Sequence, residues 1–230
     1  MSRDSFEIGR KISRICSLLA DTYGTVIVST KRPPLEVLVR GILSQNTNDV
    51  NMDKAYRSLK GNYSSWEEVL NASEEELGEV IKSSGFFRVK AERIKATLEE
   101  IRSRVGRLDL SFLESMETQE AMNWLTSLHG IGPKTAALVL LFCFEMPVLP
   151  VDTHVWRISK RLGLVQFKTT REATQKYLEE VVPKSCLLSM NHNLVAHGRE
   201  VCKAKKPLCN ACVLSQHCDY LTKSKSSESE

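Results

Sequence analysis

Apolar side chains recur along this chain at helical spacing almost throughout. Leu35, Leu38, Val39, Ile42 and Leu43 fall at i, i+3, i+4, i+7 and i+8, one face of a helix, and Pro33 and Pro34 mark its start. Ser65 with Glu68, Ser73 with Glu76, and Thr169 with Glu172 have the spacing of capping boxes. Leu77, Val80 and Ile81 form the next stripe, which Gly85 can end, and a further helix is expected from Val89 to Val105. Only Thr25 to Val28 reads as a strand. The longest apolar run, Ala136 to Phe144, is too short to cross a bilayer, which takes about 20 residues, and reads as a buried helix. The expected class is therefore all-α.

A turn interrupts this pattern. Met122, Leu125 and Leu128 share a face of a short helix. His129, Gly130, Ile131 and Gly132 follow, and Pro133 opens another helix through Leu140. Glycines on both sides of one apolar residue permit a tight turn, and proline suits the first helical position because its missing N–H is not needed there. Exposed N–H groups of such a hairpin can hold a phosphate without reading sequence; an ordinary helical corner has the same signature. Lys134 sits in the first turn of the second helix, where the macrodipole disfavours an ammonium and a neutral amine nucleophile becomes more accessible.

Beyond it, Val148 to Val151 leads into Asp152-Thr153-His154 and a helix with Val155, Ile158 and Leu162 on one face. Asp152 is placed to cap that helix. A carboxylate accepting helix N–H bonds is stabilised in its charged form, which suits electrostatic or proton-transfer work.

Composition narrows the chemistry. The chain has 230 residues, a net charge of +4 and seven cysteines. That charge is too small to identify a nucleic-acid binder. Lys203, Lys205 and Lys206 crowd one loop, and Arg157, Lys160 and Arg161 crowd one helix; each group read alone is as readily a solvated face as a patch for nucleic acid. The charged N-terminus lacks the apolar stretch of a secretory signal, so a cytoplasmic location is expected. Disulfides are disfavoured there. Cys202, Cys209, Cys212 and Cys218, spaced C-x6-C-x2-C-x5-C, therefore read as a metal set open to zinc or iron–sulfur. Cys16, Cys143 and Cys186 read as core packing. No period of 20 to 50 residues and no flexible linker is visible. The tail, residues 223–230, has no apolar residue and is expected to be disordered.

Together these pieces carry a resemblance. Leu128 to Ala136, Val151 to His154 and the cysteine spacing resemble endonuclease III and the helix-hairpin-helix superfamily of DNA glycosylases, over about Leu35 to Tyr220. The family usually has proline where this chain has His129. The resemblance implies two helical domains with a DNA groove between them. A six-helix barrel would span residues 35–145, an iron–sulfur cluster domain residues 1–34 and 146–221, and a disordered tail residues 222–230. It further implies Lys134 as the nucleophile on the sugar C1′, Asp152 as the catalytic carboxylate, and a [4Fe–4S] cluster on the four cysteines. Gln45 would fill the gap left by an extruded base. His129, Gly130, Ile131 and Gly132, with Lys203, Lys205 and Lys206, would contact DNA.

The implied activity is base-excision repair: a bifunctional glycosylase and abasic-site lyase acting as a monomer on duplex DNA with damaged, chiefly oxidised, pyrimidines, in the cytoplasm at the nucleoid. A mismatch-specific thymine, uracil or adenine glycosylase of the same superfamily is the nearest alternative. A non-catalytic DNA-binding or redox-sensing protein is the alternative of another class.

Overall fold

The computed structural model describes residues 3–26 and 32–226. Among them the chain forms twelve α-helices and no strand. These are α1 (Arg3–Tyr23), α2 (Pro34–Leu43), α3 (Asp49–Asn62), α4 (Trp66–Asn71), α5 (Glu74–Val80), α6 (Phe87–Val105), α7 (Thr118–Thr126), α8 (Pro133–Phe144), α9 (Thr153–Arg161), α10 (Arg171–Val181), α11 (Leu187–Glu200) and α12 (Asp219–Ser226). The all-α class holds. Thr25 and Val26 lie in no regular element, and the rest of the expected strand falls outside the described residues. Of the expected tail, residues 222–226 lie at the end of α12, and residues 227–230 fall outside the described residues.

Two of the three expected capping boxes are also corrected. Ser73 and Glu76 make the full reciprocal box. Ser65 caps the Glu68 N–H, but the Glu68 carboxylate turns instead to the N–H and hydroxyl of Ser64. Helix α10 is capped by Thr170, whose hydroxyl accepts from the Ala173 N–H, because Thr169 is held in the preceding turn. There its carbonyl accepts from Trp156 Nε1 and its N–H donates to the Gln166 carbonyl.

The chain divides into two compact units, Thr30–Met146 and Met1–Ser29 with Pro147–Glu230. In the first, α2, α6 and α8 bring Leu38, Ile42, Ile94, Leu98, Ala137 and Leu140 into a core with no exposed surface. Helices α2 and α8 approach closely at Gly41, where a Cβ would meet the Thr135 methyl at 2.5 Å. In the second, α1 contributes Ile12, Ile15 and Leu19, α9 contributes Val155, and α11 contributes Leu194, all fully buried. There Gly198 of α11 lies against His154 of α9, and a Cβ would sit 2.5 Å from Nδ1.

Candidate active site and cysteine centre

The hairpin of the first unit is built as its glycines require. Gly130 has φ +78°, a left-handed conformation costly for a residue with a Cβ. The Ile131 N–H closes the turn on the Leu128 carbonyl. Pro133 is the first residue of α8, and no side chain caps that helix. Unpaired N–H groups at a helix start are the donors an anion needs. Lys134 stands exposed on this first turn, while its neighbours Thr135 and Ala136 are buried and anchor the helix.

Side chains from α6 hold the hairpin in place. Thr97 donates its hydroxyl to the His129 carbonyl at 2.9 Å, and Glu100 accepts the His129 N–H at 2.9 Å. Gln45, just past α2, donates from Nε2 to the Gly130 carbonyl at 3.3 Å. The structure thus brings Gln45 to the residue 129–132 turn. Two further groups here were missed in the sequence: Arg93 donates to Gln45 Oε1 at 2.6 Å, and Lys90 lies buried beneath the same segment. Lys90 had a legible signal, since residues 90, 94, 98 and 101 share the apolar face of α6.

In the second unit, Asp152 caps α9. Its Oδ1 accepts from the His154 N–H at 2.8 Å and the Val155 N–H at 2.9 Å. The strip leading to it is buried and fixed by Asn191, whose Nδ2 donates to the Pro150 carbonyl at 2.7 Å. His154 is packed, with Nδ1 3.1 Å from Arg157 Nη2.

Of the two readings open to the helix cations, the solvated face does not hold for Arg157 and Arg161. Arg157 donates to the Cys202 carbonyl from Nε at 3.1 Å and to the Gly198 carbonyl from Nη2 at 2.9 Å. Arg161 reaches the Lys203 carbonyl at 2.8 Å and the Ala204 carbonyl at 3.1 Å. These arginines organise the loop, while Lys203, Lys205 and Lys206 on it stay exposed. Lys160 alone of the three fits another pattern, its Nζ lying 3.4 Å from the Trp156 ring centre.

Cys202, Cys209, Cys212 and Cys218 line one cavity with Arg161 and Tyr220. All seven cysteines are free thiols. Burial pushes the Cys212 and Cys218 thiols up, and the charge of the neighbouring cysteines adds to the effect. Among the described residues, no three His, Cys, Asp or Glu side chains converge on a single metal ion. The other three cysteines sit apart: Cys143 is buried, and Cys16 and Cys186 are half-buried. Burial pushes the Cys16 and Cys143 thiols up to about 12.

Residues 39–184, well over half the chain, match the family described as HhH-GPD superfamily base excision DNA repair protein. The chain belongs to this superfamily. Within it, the chain is 40% identical over 187 residues to endonuclease III of Thermotoga maritima, covering 81% of this chain and 83% of that protein. It is 30% identical over 223 residues to endonuclease III of Sulfolobus acidocaldarius, covering 95% and 92%. That longer match takes in the cysteine segment, which the superfamily match does not reach. Among solved structures, a trapped endonuclease III–DNA covalent intermediate superposes with a TM-score of 0.81 at 28% identity, covering 94% of this chain and 98% of the other. A non-covalent endonuclease III–DNA complex gives 0.79 at 27% identity, covering 95% and 98%.

Proposed function

We propose that this protein removes damaged, chiefly oxidised, pyrimidines from duplex DNA and then cuts the strand at the abasic site. The observation that carries the reading is the start of α8: an uncapped helix N-terminus after a left-handed glycine, with Lys134 exposed on its first turn. The turn donors of residues 129–132 would hold a phosphate of the damaged strand, and Lys134 would attack beside it. The 28%-identical neighbour was solved as a covalent intermediate with DNA, the species such a lysine forms.

A stacked base is out of reach, so it is first extruded, and Gln45 fills the gap it leaves. The neutral Lys134 amine bonds to C1′ as the bond from C1′ to the base breaks. The base leaves with that electron pair and takes up a proton. Opening of the sugar ring breaks C1′–O4′, puts a proton on O4′, and leaves a Schiff base between C1′ and Nζ. Loss of a C2′ proton then expels the 3′ phosphate with the C3′–O3′ electrons, and water releases the lysine. Asp152 would offset positive charge developing on the sugar, and the proton lost from the Lys134 amine passes to solvent.

Cys202, Cys209, Cys212 and Cys218 would hold a [4Fe–4S] cluster, which when bound supplies four metal–thiolate bonds across their cavity. Arg157 and Arg161 order the same loop from below, and Lys203, Lys205 and Lys206 would meet phosphates from it. The protein would act as a monomer.

The test is an excision assay on duplexes carrying an oxidised pyrimidine, an oxidised purine, or thymine or uracil opposite guanine. Excision coupled to strand cleavage, strongest on the oxidised pyrimidine, is expected. Excision from mispairs without cleavage would move the protein to the mismatch-specific branch, and binding without excision would make it non-catalytic.

A further inference from the structure

Helix α6 carries two cations that this chemistry does not use. Lys90 is 2% exposed, among the most buried side chains of the protein. Its Nζ donates to the Leu43 carbonyl at 2.8 Å and to the Ser84 carbonyl at 2.7 Å. Leu43 is the last residue of α2, and Ser84 the last of the 3-10 turn before Gly85. Carbonyls at such ends lack helical partners and carry partial negative charge, so an ammonium suits both. One turn along α6, Arg93 grips the Gln45 side chain, which in turn donates to the Gly130 carbonyl. The Arg93 methylenes lie directly under Gly130, where a Cβ would come within 3.1 Å of Cδ.

The backbone beside each Lys90 contact is unusual. Asn46 has φ +52° and Phe86 has φ +49°. Non-glycine residues enter that region at a cost and stay only where their surroundings hold them. Each follows a Lys90-bound carbonyl by two or three residues. A buried ammonium is also an expensive filler, since an apolar side chain would occupy the space without losing hydration. Its hydrogen bonds fix position, and they fix it for the turn that bears Gln45.

We infer that Lys90 and Arg93 are positioning residues for base extrusion: Lys90 locks the backbone turn that bears Gln45, and Arg93 holds the Gln45 side chain against the hairpin until DNA takes its place. The gap-filling side chain and the phosphate-binding turn are thereby presented in one fixed relation. This rests on the reading that Gln45 fills the gap.

The experiment uses the full-length protein and a duplex with an abasic-site analogue opposite 2-aminopurine, whose fluorescence reports insertion beside it. The wild type should change the fluorescence on binding, and Gln45→Ala should lose the change. Lys90→Met and Arg93→Met should lose most of it too, while still binding the duplex. Their single-turnover excision should fall by roughly 10- to 100-fold, the scale of a small misplacement. Arg93→Lys should recover part of both signals. Arg93 is half-buried, so its variants decide the matter even if Lys90→Met fails to fold. A full fluorescence change in folded Arg93→Met, whatever its melting temperature, would overturn the assignment of Arg93, and the same result in Lys90→Met that of Lys90. A change that survives Gln45→Ala would overturn the gap-filling role itself, and the positioning role with it.

Discussion

The Arg161 guanidinium donates to the sulfur of Cys202 at 3.2 Å while the same side chain holds the carbonyls of Lys203 and Ala204. One planar fork thus ties a cysteine of the metal set to the loop bearing the exposed lysines. A lysine ammonium cannot reproduce that spread of donors. Arg161→Lys should therefore release iron to a chelator several-fold faster than the wild type, followed as loss of visible absorbance. An unchanged rate would mean that the cysteines alone hold the loop.

Lys134→Gln removes the amine while keeping a polar side chain on the first turn of α8. Borohydride trapping on abasic DNA should be abolished. Affinity for the same duplex should stay within a few-fold, because the donors of the turn are backbone groups. A persistent covalent complex in this variant would point to another amine as the nucleophile.

Asp152→Asn separates capping from charge. Asparagine caps a helix about as well as aspartate, and losing a cap altogether costs only ~1 kcal/mol. The Oδ1 acceptor for the His154 and Val155 N–H groups can remain. The melting temperature should move little while single-turnover excision falls by orders of magnitude. Full activity in the folded variant would leave Asp152 as a cap only.

What the sequence made legible was local. The Gly130 turn, Pro133 at the start of α8 and Asp152 at the start of α9 each depend on residues within a few positions, and each forms where the pattern places it. What it hid was set by partners far along the chain. Spacing could place Lys90 on the apolar face of α6 but not name its partner, a carbonyl 47 positions away, and Arg157, bonded to one 45 positions away, could not be told from a solvated cation. Thr169 lost its expected capping role to a tertiary contact, the Trp156 indole taking its carbonyl.

Lys203, Lys205 and Lys206 are exposed on a loop whose carbonyls are held from below. If they meet phosphates, neutralising all three should weaken binding to every duplex alike. The slope of log affinity against log salt should shrink by roughly 0.9 per lost contact, or about 2.7 for the three. A titration series across salt concentrations measures it, and an unchanged slope would mean that the lysines are simply solvated.

Lys90 also gives the fold a pH signature. Burial, with the Arg93 charge adding to it, pushes its ammonium down to about 8. In the unfolded chain a lysine titrates near ~10.4. Between those values the unfolded chain binds a proton that the folded chain does not, so this residue makes stability rise with pH there. Below about 8 both states are protonated and the cost of the buried charge is fully present; above ~10.4 it is gone. A tenfold change in proton affinity is worth about 1.4 kcal/mol, so the full span is on the order of a few kcal/mol. The absolute curve will not show it cleanly. Cys16 and Cys143, raised to about 12, oppose it: their thiols ionise first in the unfolded chain, which lowers stability as pH rises. The difference between wild type and Lys90→Met removes those shared contributions. Urea unfolding of both proteins from pH 7 to pH 10.5 should show the wild type gaining on the variant from about 8 upwards. A flat difference would mean that Lys90 keeps its proton across the range, with its two carbonyl contacts outweighing the cost of burial.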